Sequence, residues 1–137
     1  MAALTAGRAT PRRDPDCTSL PVAAGVVIYK GSIVVINAAG FACPGKTGVG
    51  VTVLGCAERR ANATGLTDGA ISVTVRSGIC FKWANSTAAD LITAAKVGQP
   101  CYVVDDQTVA SNDGGGTRPV CGIIKGVEQD GVWVYVK

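Results

Sequence analysis

Residues 118–137 read RPVCGIIKGVEQDGVWVYVK, and this stretch decides the fold class of the chain. Asp130-Gly131 is a dipeptide that tight turns between antiparallel strands prefer, and apolar residues flank it on both sides. Within 132–136 three valines occupy one face, and Trp133 and Tyr135 occupy the other. Such a period of two is typical of a β-strand. The stretch therefore predicts a β-hairpin that ends in an amphipathic strand.

Similar short apolar segments recur along the chain and are separated by glycine-rich turns. Glycine accounts for 18 of the 137 residues, about twice the usual ~7%, and the glycines are spread rather than clustered. The strand candidates are GVVIYK, SIVVIN, VTVLGCAE, AISVTVRSGICFKW, PCYVVD and the two strands of the hairpin. This spacing predicts an all-β fold: a small single-domain sandwich, jelly-roll-like, or a barrel, with about 8–10 short strands.

The first residues differ in character from the rest of the chain. Residues 1–21 contain three prolines and three arginines without lasting periodicity, so we expect an extended N-terminal arm, followed by a β domain over 22–137. Residues 86–98 predict one short helix, because Ser86 or Thr87 can cap its start and Gly98 can end it. Lys30-Gly31 predicts a two-residue hairpin turn.

Some strand candidates are apolar on both faces. Both VVIY and IVVI lack the polar side that a sheet turned toward water normally shows. Such strands need a second cover, which the short helix, long loops or another protein could supply. In the last strand, Trp133 and Tyr135 are residue types enriched in contacts between proteins, so we expect them at a subunit interface.

The composition argues against several kinds of chemistry. Histidine is absent and no CxxC pair occurs, so a structural zinc site is not expected and the six cysteines are expected to be free and mostly buried. No nucleophile or phosphate-loop motif is present, which predicts no enzyme activity and no cofactor. The net charge of +3 is small and scattered, which disfavours nucleic-acid binding. The apolar runs are far too short for a membrane span.

Asp105-Asp106 is the pair of adjacent carboxylates that most resembles a metal site. Adjacent side chains in an extended segment point to opposite faces, so the two aspartates are interpreted as a turn instead. Residues 111–116, SNDGGG, are interpreted as a flexible loop tip, and Arg118 is expected to pair with Asp105 or Asp106 across that loop.

Residues 22–137 resemble the capsid cement, or decoration, proteins of tailed bacteriophages and prophages. The resemblance rests on five motifs: GCAE (55–58), VRSG (75–78), CYVVDDQTV (101–109), RPVCG (118–122) and DGVWV (130–134). It implies a structural protein of the virion that binds the outer surface of an icosahedral capsid and cements neighbouring capsomers. It implies no enzyme activity, and partners that are the major capsid protein and the chain itself.

On this basis we expect a homodimer, with a trimer as the alternative, in which Trp133 and Tyr135 contribute to the subunit interface. Arg8, Arg12 and Arg13 of the arm are expected to contact the capsid or a neighbouring subunit. The first twenty residues contain no secretion signal, so the expected location is the capsid exterior after synthesis in the host bacterial cytoplasm. The alternative function is a receptor- or carbohydrate-binding β-module on the virion, for which Phe81 and Trp83 are the nearest aromatic candidates.

Overall fold

The structure is a computed structural model that describes residues 2–137. The predicted all-β fold is confirmed. The described residues form twelve strands and two single turns of 3₁₀-helix, at Ala88–Asp90 and Ala94–Lys96. The strands are β1 (Cys17–Pro21), β2 (Val27–Ile28), β3 (Ile33–Ile36), β4 (Ala42–Pro44), β5 (Thr52–Ala57), β6 (Ala61–Asn62), β7 (Ser72–Arg76), β8 (Ile79–Asn85), β9 (Pro100–Val103), β10 (Thr108–Ala110), β11 (Val120–Glu128) and β12 (Gly131–Val136). None of the helical turns in residues 2–137 has the length and hydropathy needed to cross a membrane.

The second half of the chain forms a closed five-stranded barrel in the order β10-β8-β12-β11-β9. The predicted hairpin at its centre is confirmed: β11 and β12 pair antiparallel, with Glu128 opposite Gly131 and Gln129-Asp130 as the connection. Strand β12 also pairs antiparallel with β8, and β8 pairs parallel with β10. Strand β9 pairs antiparallel with both β10 and β11, which closes the barrel.

The first half forms a five-stranded antiparallel sheet in the order β1-β7-β5-β3-β4. Val22, which follows β1, bridges to Ala42 of β4, so the two outer strands of this sheet approach each other. Strands β2 and β6 form a separate two-stranded ribbon, which supplies Ile28 and Ala61 to the core beneath the sheet.

Strand β3 lies between two hydrophobic cores. Ile33 and Val35 point into the larger core, which includes the valines inside the barrel, whereas Val34 points into a smaller core beneath the ribbon. All three side chains are fully buried. Both faces of IVVI are therefore apolar because each of them packs into a hydrophobic core of the same chain.

The predicted short helix over 86–98 is replaced by the two 3₁₀ turns. The Asn85 side chain accepts a hydrogen bond from the Ile92 amide (2.9 Å) and donates one to the Ile92 carbonyl (2.8 Å). Both backbone groups are thus occupied in the middle of the candidate helix, and Ile92 is drawn into the core. Because a helix needs those groups for its own ladder, it stops after one turn on each side.

Two further expectations require correction. The Lys30-Gly31 turn forms, with Gly31 at φ 86 and the Ser32 amide bonded to the Tyr29 carbonyl, but it does not join a hairpin. Strand β2 pairs with β6, and β3 pairs with β4 and β5, so the turn carries the chain from the ribbon to the sheet. The boundary between the arm and the β domain was expected at residue 22, whereas pairing with β7 already begins at Cys17. Of the described residues, the arm therefore comprises 2–16.

Arg118 pairs with a different aspartate from those predicted. Its Nη2 atom lies 3.1 Å from Oδ2 of Asp90, and its Nη1 atom lies 3.2 Å from Oδ1 of Asn112. The Asp105 side chain instead accepts a hydrogen bond from the Gln107 amide, which confirms the predicted turn at Asp105-Asp106. Arg118 pairs with Asp90 because the 3₁₀ turn at Ala88–Asp90 packs beside the loop that precedes Arg118. Tertiary structure sets this proximity.

Candidate functional site

The outward surface of strands β8, β11 and β12 carries the two aromatic residues that the sequence assigns to an interface. Trp133 lies opposite Lys82 and Gly126, and Tyr135 lies opposite Cys80 and Ile123. Directly opposed residues share a face of the sheet, so these side chains form one surface, which is called here the outer barrel face. Its members are Cys80, Lys82, Ile123, Trp133 and Tyr135.

The alternation predicted for 132–136 is confirmed. Val132, Val134 and Val136 are 0–3% exposed inside the barrel, whereas Trp133 is 37% exposed on the outside. Tyr135 is half-buried. Neither aromatic side chain is therefore fully buried in the core of its own chain, and the Trp133 ring is exposed enough to contact a partner.

Polar contacts hold the Trp133 ring in place. Its Nε1–H group donates a hydrogen bond to Oε1 of Glu128 at 2.5 Å, and the Lys82 ammonium lies 5.6 Å from the ring centroid. Lys82 is fixed in turn by Asp130, with Nζ 2.9 Å from Oδ2, and by the more distant Glu128. A ring that is already oriented loses less conformational entropy when a partner binds than a freely rotating one.

The charges of this network shift one another's titration. The hydrogen bond from Lys82 lowers the pKa of Asp130, and the same bond raises the pKa of Lys82, with further contributions from the charges of Asp130 and Glu128. Both groups therefore stay ionised over the whole neutral range. The Lys82–Asp130 ion pair beside Trp133 is thus retained near neutral pH.

From Trp133 toward Tyr135 along β12, the outer barrel face becomes apolar. Tyr135 lies between Cys80 on β8 and Ile123 on β11, and Ile123 is opposite Pro100 on β9. Cys80 is exposed. The outer barrel face is therefore apolar at the end around Tyr135, and the charged residues that hold Trp133 lie at its other end.

The arm leaves the domain next to the apolar end of this face. Residues 2–16 are exposed throughout, and Arg8, Arg12 and Arg13 form no ion pair within the described part of the chain. The base of the arm is attached by Asp14, whose carboxylate lies 3.7 Å from Arg76, and by the Asp16 carbonyl, which accepts a hydrogen bond from the Ser77 amide.

The Ser77–Gly78 turn connects the arm to the outer barrel face. The Gly78 amide donates to the carbonyl of Val136, which lies opposite Ile79 at the start of β8. Gly78 adopts φ 77, and a side chain at this position would collide with the Asp16 carboxylate. The base of the arm is thus bonded to the turn that leads into β8, one of the strands of the outer barrel face.

The structure places Asp105 and Asp106, the adjacent carboxylates that the sequence singles out, in a turn beside the sheet. Within residues 2–137 no three cysteine, aspartate or glutamate side chains are close enough to hold a metal ion. Asp105 is engaged in its turn, and the Asp106 carbonyl accepts a hydrogen bond from the Ile33 amide. The aspartates therefore connect the barrel to the sheet.

A shallow groove of about 550 Å³ lies at the end of the barrel, between β8 and the β11–β12 hairpin. Its lining includes Ser86, Thr93, Glu128 and Asp130. The aromatic candidates for sugar binding are elsewhere: Trp83 is 5% exposed and donates to the Gly31 carbonyl, and Phe81 packs against it at 5.2 Å between ring centroids. The Trp83 face is therefore not available for stacking on a sugar.

The sequence names Trp133 and Tyr135 as interface candidates but does not reveal the residues that hold the Trp133 ring. Lys82 and Asp130 are 48 positions apart, and only the register of β8 against β12 brings them together. Glu128 could have been found, since a two-residue hairpin loop places it close to the outward residues of the following strand. The chain was compared with protein-family models, curated proteins and solved structures, and no match was found in any of the three.

Proposed function

We propose that this chain is a capsid cement protein: a structural virion protein that binds the outer surface of an icosahedral phage capsid and joins neighbouring capsomers. The observation that carries the proposal is an exposed arm whose base is hydrogen-bonded to the turn that leads into β8, a strand of the outer barrel face. The sequence resemblance over 22–137 supports the same role. The expected partners are the major capsid protein and a second copy of this chain.

The arm is assigned to the shell. Its fifteen described residues can reach about 50 Å when extended at ~3.3 Å per residue, which is more than the width of the domain's own barrel. Arg8, Arg12 and Arg13 have no partner within the described residues and suit an acidic or carbonyl-rich surface. Because the contact repeats at every copy on a lattice, modest affinity per arm gives strong retention overall.

The outer barrel face is assigned to pairing of subunits. A two-fold interface requires a self-complementary patch, and this face combines apolar area around Tyr135 with a fixed, partly exposed Trp133. Tryptophan and tyrosine bury a large area at low entropic cost and are frequent at the centres of interfaces. A homodimer is favoured, and a trimer is the alternative.

The assignment of the arm is tested by deleting residues 2–13, which removes the three arginines and keeps the contacts of Asp14 and Asp16 with Arg76 and Ser77. We expect the truncated chain to keep its unfolding midpoint, because the deleted residues are exposed, and to lose binding to purified shells of the major capsid protein in a co-sedimentation assay. The matched variant Arg8→Ala/Arg12→Ala/Arg13→Ala separates the charges from the length of the arm. Undiminished shell binding by the truncated chain would refute the assignment.

The pairing face is tested with Trp133→Ala in sedimentation velocity. We expect the variant to shift toward the monomer while its unfolding midpoint changes little. Val97→Ala is the control, since Val97 is an exposed apolar residue (47%) that lies outside this face. Assembly of Trp133→Ala identical to that of the wild type would show that Trp133 is ordinary surface packing.

A receptor- or carbohydrate-binding module remains the alternative function, and the groove beside Glu128 and Asp130 is the feature that favours it. The two functions differ in what the chain captures. Binding to shells without binding to host cells or glycans supports the cement role, whereas the reverse result supports the alternative.

A further inference from the structure

Two buried cysteines face each other across the β9–β11 pair of the barrel. Strand β11 has a register shift between Val120, which lies opposite Tyr102, and Gly122, which lies opposite Cys101. Cys121 is the extra residue of this bulge, so both Cys121 and Gly122 oppose Cys101. Cys101 is 0% exposed and Cys121 is 4% exposed, and both belong to the larger core. Both thiols therefore point into the same part of the barrel.

The spacing of the strands suits a disulfide between these two residues. Opposed Cα atoms of antiparallel strands are about 4.5–5.5 Å apart, and disulfides span Cα separations of about 4.4–6.8 Å. A cysteine in a bulge beside its opposed cysteine falls within that range. We propose that Cys101 and Cys121 form an intramolecular disulfide when the protein meets an oxidant, and that this bond fastens the β9–β11 seam of the barrel.

Among the other cysteines, those of the sheet are too far apart to bond with their nearest cysteine in the strand order. Cys43 and Cys56 flank β3 on opposite sides, as partners of Val35 and Ile33. They are thus two strand spacings apart, about 9.5 Å, which exceeds the reach of a disulfide. Cys17 and Cys56 are separated by β7 in the same way, since both pair with Arg76. Cys80 lies on the outer barrel face, away from the core thiols.

The seam is one of two places in the barrel where the pairing of β11 shifts in register. The bulge at Cys121 interrupts the β9–β11 ladder. The segment between the two cysteines includes β10 and the glycine-rich loop before Arg118. A bond across the bulge would close this segment covalently, which reduces the freedom of the unfolded chain.

The reaction has a defined balance. The two thiols together give up two protons and two electrons as the S–S bond forms, and an azo oxidant such as diamide takes up both as its N=N bond becomes a hydrazine. A low-molecular-weight disulfide would serve equally, being reduced to two thiols. The contact with Cys101, together with burial, raises the pKa of Cys121 well above 9.0, so the neutral thiol predominates and oxidation is slow near pH 7.

The test uses the full chain, reduced and then exposed to diamide for several hours. Unreacted thiols are alkylated after denaturation, and the intact mass is measured. We expect a loss of two hydrogens and four alkylated cysteines instead of six. Cleavage before aspartates should yield residues 90–104 linked to 113–129, which assigns the bond to Cys101 and Cys121. Six alkylated thiols, or a link to any other cysteine, would overturn the proposal.

Two variants and one stability measurement complete the test. Cys121→Ala should keep all five of its thiols after oxidation, whereas Cys43→Ala, which alters another buried thiol of the same core, should still lose two. If Cys121→Ala fails to fold, the map of linked peptides from the wild type decides alone. We expect oxidation to raise the Tm by roughly 10 °C, as for a loop of about twenty residues. A mapped bond without a rise in Tm would overturn the fastening role.

Discussion

Replacing Gly122 with alanine is expected to destabilise the barrel strongly, whereas the same change at Gly126 is expected to be harmless. Both glycines lie in β11, and neither needs a positive φ, so the two substitutions differ only in what the new methyl group meets. At Gly122 a Cβ atom would lie 2.1 Å from the Tyr135 carbonyl oxygen and 2.9 Å from Cγ1 of Val134. At Gly126 the nearest atom is Cδ1 of Trp133, at an ordinary 3.5 Å.

The magnitude follows from this overlap. Carbon and oxygen atoms approach to about 3.3 Å at the closest, so β11 and β12 would have to separate by roughly 1 Å at the centre of the barrel. Overpacking of this kind costs about 3 kcal/mol, and the reduced freedom of the unfolded alanine chain returns about 0.4–1 kcal/mol. A net loss of about 2–3 kcal/mol corresponds to a Tm lower by roughly 10 °C.

Urea unfolding of both variants, followed by circular dichroism and tryptophan fluorescence, measures the difference. We expect Gly122→Ala to lower the midpoint without a change in slope and Gly126→Ala to leave it unchanged or raise it slightly. Equal midpoints for the two variants would refute the close approach of β11 and β12 at Gly122.

Four further substitutions test other parts of the structure. Val34→Ala and Val35→Ala should each lower the free energy of unfolding in urea by about 2 kcal/mol, because both valines are fully buried on opposite faces of β3. An unchanged free energy of unfolding for either variant would contradict the two-core arrangement. Gly115→Ala should cost about 1 kcal/mol, since its φ is 75 and nothing lies within 4 Å of the new methyl group, and a loss above 3 kcal/mol would reveal a missed contact. Arg118→Met should raise the pKa of Asp90 part of the way back toward 3.8, as measured by NMR titration, because the Arg118 hydrogen bond is the largest cause of the lowering and the Asn112 hydrogen bond is the second. The stability that this lowered pKa gives the wild type is present above 3.8 and is lost as the pH falls below that value.

The sequence predicts well those features that depend on neighbouring residues. The alternation over 132–136 and the turn before it predict the β11–β12 hairpin and the side on which each residue lies. The Asp105 turn is likewise local, because its side chain binds an amide two positions away. Such features are encoded within a few residues, so a single sequence suffices to predict them.

Features that depend on distant partners were not predicted. The choice of Asp90 over Asp105 for Arg118 depends on how the loop packs against the 3₁₀ turn. The helix over 86–98 fails because Asn85 competes for the backbone of Ile92, a contact that propensity does not describe. The support of Trp133 by Lys82 likewise requires the register between β8 and β12. In each case tertiary structure selects among partners that the sequence leaves equivalent.

The placement of β3 between two cores has a consequence for cooperativity. The sheet cannot separate from the barrel without exposing Ile33 and Val35, and the ribbon cannot separate from the sheet without exposing Val34. If either half unfolded alone, the other half would therefore lose its packing against β3, the strand that both halves share. We expect a single heat-absorption peak in calorimetry, with equal calorimetric and van't Hoff enthalpies, so that this chain behaves as one thermodynamic unit although its strands form three separate sheets.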